Sequence, residues 1–391
     1  MTRARDLGVV VGRGTPGPRN AITDVTGVRV GHATLIEGEG PLHVGRGPVR
    51  TGVTVILPRP ADPGAEPVFA GCHRLNGNGE LTGLEWVRES GMLMTPVAIT
   101  NTHSVGVVRD ALIAARVRSG ALDEDVWSLP VVGETWDGRL NDINGQHVRA
   151  GHVDQALASA TDGAVPEGNV GGGTGMICHG FKGGIGTASR TVPSGAGAYT
   201  VGVLVQANYG RRERFRVNGL PVGEVLDARA IPLPGPSGAP APSGRPPSAS
   251  TRSGSIIVIV ATDAPLLPHQ CTRLAQRAGL GVARMGGVGE HSSGDLFLAF
   301  ATGNGGLPGE AGLGEAGAPV IPIRMLADAH ITPLFDAVIE STEEAILNAL
   351  VAAETMVGRD GITAHRLDHH RFVDTLDRLG RDSGPTRPEY P

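Results

Sequence analysis

Arg252-Ser253-Gly254-Ser255-Ile256-Ile257-Val258-Ile259-Val260-Ala261 is the stretch on which the reading of this chain turns. A segment rich in Pro, Gly and Ser, Pro232–Ser253, runs up to it. That segment has no periodic apolar pattern. It cannot bury enough surface to offset its ordering entropy, so it reads as a mobile loop. The run behind Ser255 is apolar throughout and of strand length, the pattern of a strand covered on both faces. A hydroxyl is thus delivered where a mobile segment meets a buried strand. Two readings stand. One is a linker meeting a strand; the other is a bond the chain cuts itself, keeping Ser255 as a new N-terminal nucleophile.

The second reading has chemical requirements. A neutral serine hydroxyl needs a base. A freed α-amine on Ser255, with an ordinary pKa of roughly 8, could supply one on the same residue. Glycine at position 254 permits the turn that exposes its carbonyl to attack. The chemistry is an N-to-O acyl shift followed by ester hydrolysis. The developing oxyanion needs a donor, and an Asn amide at a strand end would serve. Asn208 holds such a place, where the strand Ala198–Val205 runs into Gln206-Ala207-Asn208-Tyr209-Gly210, although turn capping suits it equally. Ser293-Gly294-Asp295 offers a second hydroxyl and a carboxylate for a proton network; as a bare motif it is a turn.

Working outward, Gly27–His32, Gly52–Leu57, Val68–Gly71, Pro96–Thr100 and Leu296–Phe300 read as further strands. Helical spacing marks Leu81–Glu89, Val105–Arg118, Val148–Ala158, Pro268–Ala278 with Gly279 as its stop, one long or two short helices over Ile331–Val357, and Leu367–Leu379. Residues 1–20 read as an arm that packs late or not at all. Strands and helices mix throughout without an internal repeat, which predicts layered sheets with helices outside, in one α/β domain. The polar loop Asn101-Thr102-His103-Ser104, between a strand and a helix, is a natural place for function.

Composition limits the function classes. A net charge of −5 over 391 residues, with no basic stripe interleaved with aromatics, argues against nucleic acid. Cys72, Cys178 and Cys271 form no CxxC pair and no closed disulfide set, and read as reduced thiols. The apolar stretch Leu7–Val11 is too short for a signal core, and no run approaches a membrane span, so the expectation is a soluble cytoplasmic protein. Gly171–Gly175 and Gly279-Leu280-Gly281 lack the context of a dinucleotide or phosphate loop. His365, His369 and His370 have no zincin glutamate, and with His269 and Cys271 they read as solvated side chains. No metal and no cofactor are expected. A Gly-x-Ser-x-Gly elbow is missing, which counts against an α/β-hydrolase.

The segment Gly254–Leu266 resembles the self-cleavage and nucleophile segment of the L-aminopeptidase/D-esterase family, which includes D-Ala-esterase/amidases and β-peptidyl aminopeptidases. Gly77–Gly83, Gly133–Gly138 with Leu140–Asn144, Gly171–Arg190, Gln206–Gly210 and Ser293–Asp295 are similar to the same family, in order over roughly residues 20 to 360. The resemblance implies a four-layer αββα sandwich like that of N-terminal nucleophile hydrolases, with different connectivity. It implies cleavage between Gly254 and Ser255 into fragments 1–254 and 255–391, and a homo-oligomer, often a tetramer, of the pairs. By the same resemblance Ser255 is the nucleophile, Asn208 stabilises the oxyanion, and Ser293 and Asp295 tune Ser255 and its amine. Glu134 holds the substrate's ammonium, with Trp136 beside it. The implied substrates are short peptides, amides or esters with a free amine. Two rivals remain: an acyltransferase on a related fold, and a non-cleaving binding protein that kept the fold.

Overall fold

Every side chain of the strand Ile256–Thr262 is buried, and the residues alternate between two cores. Ile256, Val258 and Val260 join the core under two long helices. Ile257, Ile259 and Ala261 join a core between two sheets. A strand covered on both sides has no polar face to show, which explains its unbroken apolar run. Each such Ile or Val contributes about 1.5–3 kcal/mol by burial.

The computed structural model describes residues 1–122, 126–195, 197–236, 254–309 and 320–382. The strands are β1 (Arg29–Glu37), β2 (Val49–Leu57), β3 (Val68–Gly77), β4 (Met92–Leu93), β5 (Val97–Asn101), β6 (Val131–Thr135), β7 (Ile177–Cys178), β8 (Phe181–Lys182), β9 (Gly184–Ser194), β10 (Gly197–Ala207), β11 (Gly235–Pro236), β12 (Ile256–Thr262), β13 (Gly294–Ala301), β14 (Met356–Val357) and β15 (Ile362–Ala364). The helices are α1 (Leu84–Ser90), α2 (Val105–Arg118), α3 (Ala150–Ala158), α4 (Val222–Val225), α5 (Pro268–Arg284), α6 (Thr332–Val351) and α7 (His369–Asp382). One sheet runs β1-β2-β5-β6 and the other β4-β3-β13-β12-β10-β9. Only β5–β6 and β12–β13 pair in parallel within these two sheets. Val30, Ile56, Val97 and Ile99 face Leu204, Ile257, Ile259 and Leu298 between the sheets. Outside the first sheet, Val53, Val55 and Val132 pack on Val108 and Leu112 of α2 and Val153 of α3. Outside the second lie α5 and α6. The order is helix, sheet, sheet, helix: the αββα sandwich.

Three expectations change, and one open alternative is settled. The N-terminal residues pack firmly. Ala4 and Val11 are fully buried, Arg3 pairs with Glu167 at 2.7 Å, and Arg5 pairs with Glu344 at 2.8 Å. Helix α5 does not stop at Gly279 but continues to Arg284. A Cβ at Gly281 would lie 2.6 Å from Cβ of Thr342 and 2.8 Å from the carbonyl of Ile339, so this glycine lets α5 press on α6. That packing outweighs a helix-propensity cost of about 1 kcal/mol. The residues 331–357 form one long helix, α6, followed by the short β14. The Pro/Ser-rich segment is anchored at its start, where Gly235 and Pro236 pair with Thr363 and Ile362; its remainder, 237–253, lies outside the described residues.

Candidate active site

Parallel pairing of β12 and β13 sets Ile256 beside Asp295, and so brings Ser255 to Gly294. The Gly294 N–H donates to Ser255 Oγ at 2.9 Å. Ser293 Oγ lies 2.5 Å from the carbonyl oxygen of Gly254 and 2.5 Å from Oδ1 of Asp295. The ladder between β13 and β3 is irregular at Asp295–Leu296, as is common where a strand re-aims a side chain beside a site. Asn76 and Asn78 fasten the preceding loop: Asn76 Nδ2 donates to the carbonyl of Glu290 at 2.7 Å, and Asn78 Nδ2 to that of Ser292 at 2.7 Å.

Burial pushes the Asp295 carboxyl up to about 6, against the hydrogen bonds from Ser293 and the Ile256 N–H that favour its charge. A hydroxyl carries one proton, yet Ser293 Oγ meets two oxygens. Both contacts are satisfied when Asp295 is neutral and donates to Ser293, which donates to the Gly254 carbonyl. In that state the chain polarises the peptide carbonyl just ahead of Ser255.

Asn208 follows the end of β10 and approaches from the other side. Its N–H donates to the Ser255 carbonyl at 3.2 Å. Its side chain is fixed at both ends, Oδ1 accepting from the Ile177 N–H at 2.8 Å and Nδ2 donating to the Trp136 carbonyl at 2.9 Å. A Cβ at Gly254 would fall 1.7 Å from the Asn208 carbonyl oxygen and 2.4 Å from Nδ2. Only glycine fits there, and the Asn208 amide lies against it.

Glu134, on β6, is buried. Its Oε1 accepts from the Glu80 N–H at 3.0 Å and its Oε2 from the Thr102 hydroxyl. Burial raises its pKa, and these two donors work in the opposite direction. An ammonium beside it would favour the charged form. A Cβ at Gly79 would sit 2.9 Å from Oε1 of Glu134 and 3.2 Å from Cα of Gly294, so Glu134 borders the Ser293-Gly294 turn. Gly79 also lines an open cleft of about 420 Å3, shared with Leu81, Leu84, Trp86 and Leu296.

Six of the seven residues singled out from sequence therefore converge: Gly254, Ser255, Asn208, Ser293 and Asp295 in direct contact, and Glu134 bordering them. Trp136 joins through its backbone, while its indole lies over Gly138. Sequence reasoning missed the backbone donors of Gly294, Ile177 and Glu80. Thr102 could have been found, since its loop is the polar one between strand and helix. Among the described residues no group of three or more His, Cys, Asp and Glu is placed to hold a metal. His369 turns its ring to the Val351 carbonyl at 2.8 Å, away from any helix-face pair with His365, which precedes α7. Among them, too, no helix is long and apolar enough to cross a membrane.

An αββα sandwich with a serine at the start of a central strand defines a hydrolase of the N-terminal-nucleophile kind. The peptidase family S58 model matches residues 20–364. The chain is 51% identical over 382 residues to the β-peptidyl aminopeptidase BapA of Sphingosinicella microcystinivorans, covering 97% of this chain and 93% of that one. A solved Burkholderia sp. β-aminopeptidase superimposes with a TM-score of 0.87 at 56% identity, covering 97% of this chain and 99% of the other. The L-aminopeptidase D-Ala-esterase/amidase of Ochrobactrum anthropi, described as a variant of the Ntn hydrolase fold, gives 0.85 at 43% identity over 97% and 99%. The chain belongs to peptidase family S58, and it is an aminopeptidase.

Proposed function

We propose that this aminopeptidase makes itself by cutting Gly254–Ser255, and that Ser255 then carries the acyl group of each substrate. One observation carries the reading: a single turn, Ser293-Gly294, holds both reacting atoms, the Gly254 carbonyl through Ser293 Oγ and Ser255 Oγ through the Gly294 N–H. In the cut, Ser255 Oγ bonds to the Gly254 carbonyl carbon and the C–N bond breaks. The hydroxyl proton ends on the nitrogen, leaving an ester and a free amine. Water then hydrolyses the ester, releasing the Gly254 carboxylate and restoring the hydroxyl.

The vacated Gly254 carbonyl position receives the substrate carbonyl. The Ser255 amine takes the Oγ proton during attack and returns it to the leaving amine. Asn208 Nδ2 and Ser293 Oγ stabilise the oxyanion. Glu134 holds the substrate ammonium, which selects free N-termini. Short peptides, amides and esters fit this scheme. An N-terminal β-amino acid is the first residue to try, because the relatives at 51% and 56% identity are named a β-peptidyl aminopeptidase and a β-aminopeptidase. A homo-oligomer of paired fragments and a cytoplasmic setting remain part of the proposal.

N-terminal sequencing of the purified protein tests it. A fragment beginning at Ser255 is expected, and Ser255→Ala should stay whole and inactive. A single uncut chain from the unmutated gene, or turnover by Ser255→Ala, would sink the reading.

A further inference from the structure

Lys182 is fully buried, with no carboxylate among its bonded partners. Its Nζ donates to the carbonyls of Gly183 at 2.7 Å, Met176 at 2.9 Å and Gly173 at 3.3 Å. It stands on β8 directly opposite Ile177 on β7. A buried ammonium is expensive to desolvate, and a methionine of similar length would fill the space without that cost. The charge therefore calls for a use.

The Met176 carbonyl and the Ile177 N–H are the two ends of one planar, conjugated peptide unit. Lys182 holds the first end, and the second donates to Oδ1 of Asn208 at 2.8 Å. The Asn208 carboxamide repeats the pattern: it accepts at Oδ1 and presents Nδ2 beside Gly254. A cation at the oxygen of an amide draws density from its nitrogen and strengthens its N–H as a donor, and such hydrogen bonds in series reinforce one another in a low-dielectric interior.

We propose that Lys182 is a positioning residue for the reaction: through the Met176–Ile177 peptide it orients and polarises the Asn208 amide that receives the oxyanion. The proposal rests on Asn208 being the oxyanion donor. Burial pulls the Lys182 ammonium down to about 7, and it pushes the neighbouring Cys178 thiol up to about 12, so that no thiolate neutralises the lysine near neutral pH. The three carbonyl oxygens match the three protons of the charged form.

A double-mutant cycle on the full chain tests this, reading the rate of self-cleavage and, for whatever is processed, kcat and KM on a peptide amide. Asn208→Ala is expected to slow cleavage about 10²- to 10³-fold. Lys182→Met alone should slow it about 10- to 100-fold, and should lower kcat on the peptide amide by a similar factor with KM little changed. The two together should be no slower than Asn208→Ala alone. Lys182→Gln, which keeps a neutral donor, should recover part of the loss, with thermal unfolding showing that each variant is folded. Losses that multiply in the double variant would overturn the relay and leave Asn208 in place. So would a Lys182→Gln no better than Lys182→Met. Unimpaired cleavage in Asn208→Ala would overturn the oxyanion assignment and the relay with it.

Discussion

Ser293 Oγ sits 2.5 Å from the carbonyl oxygen of Gly254, so the turn beside Ser255 grips the bond ahead of it. Ser293 has one proton to share between that oxygen and Asp295, whose carboxyl burial pushes up to about 6. Below that pH the neutral acid donates to Ser293 and frees its proton for Gly254. As pH rises through it, the carboxylate claims the Ser293 proton and the carbonyl loses its donor. Freshly made chain moved into buffers from about pH 5 to 8 should therefore cut itself more slowly at the upper end, by about 10²-fold for a lost oxyanion-type donor. Asp295→Asn, which can donate at every pH, should flatten that limb. A limb that survives the substitution would mean another group titrates.

Gly254→Ala should leave the chain whole. The added carbon would lie 1.7 Å from a backbone oxygen of Asn208, where no side chain can swing aside to make room. Displacement of the bond by a fraction of that distance is worth on the order of 10²-fold in rate. Gel electrophoresis over days reads the result; cleavage at the original rate would show that Gly254 moves before it reacts.

Glu134→Gln separates substrate binding from self-cutting. A hydrogen-bonded charge contributes about 1.5–3 kcal/mol, which corresponds to KM rising about 10- to 100-fold for free-amine substrates. Self-cleavage involves no substrate ammonium and should keep its rate. N-acetylated substrates should be equally poor with either protein. Equal damage to both reactions would make Glu134 a structural residue.

Two glycines of α5 should answer differently to substitution. Gly281→Val forces α6 away from α5 and should cost about 1–3 kcal/mol in thermal unfolding. Gly279 has its nearest neighbour, Cε2 of Phe297, at an ordinary 3.4 Å. Gly279→Ala should therefore stabilise the helix, by up to about 1 kcal/mol. Similar effects from both would mean that the contact with α6 is not what holds Gly281.

The strand behind Ser255 was legible because burial on two faces leaves a one-letter signature. Asn208, Glu134 and Ser293-Gly294-Asp295 were legible as side chains with chemistry at strand ends, and the resemblance gave them roles. The Gly294 and Ile177 N–H groups were not, since a backbone donor has no letter of its own and its aim depends on register. Nothing marked Lys182 within the glycine-rich block; only the hairpin of β7 and β8 shows that it closes on Met176. The N-terminal arm misled for a related reason. Its partners, Glu167 for Arg3 and Glu344 for Arg5, are distant along the chain, so no local pattern shows that the arm docks. Strand β9 escaped notice because its glycines and hydroxyls lack the apolar alternation of a strand, although it pairs with β10 along its whole length.

The strand order β4-β3-β13-β12-β10-β9 has a consequence for a molecule cut at Gly254. The two strands that the downstream piece gives to this sheet, β12 and β13, are clasped by β10 and β3 of the upstream piece, so the halves would stay together without a covalent tie. Once unfolded, however, they are two molecules. Reassembly becomes a bimolecular encounter that weakens on dilution, whereas the uncut precursor refolds at a rate that ignores concentration. The cut would make folding a one-time event: a protein able to assemble as a single chain, and thereafter kept native by the slowness of its unfolding.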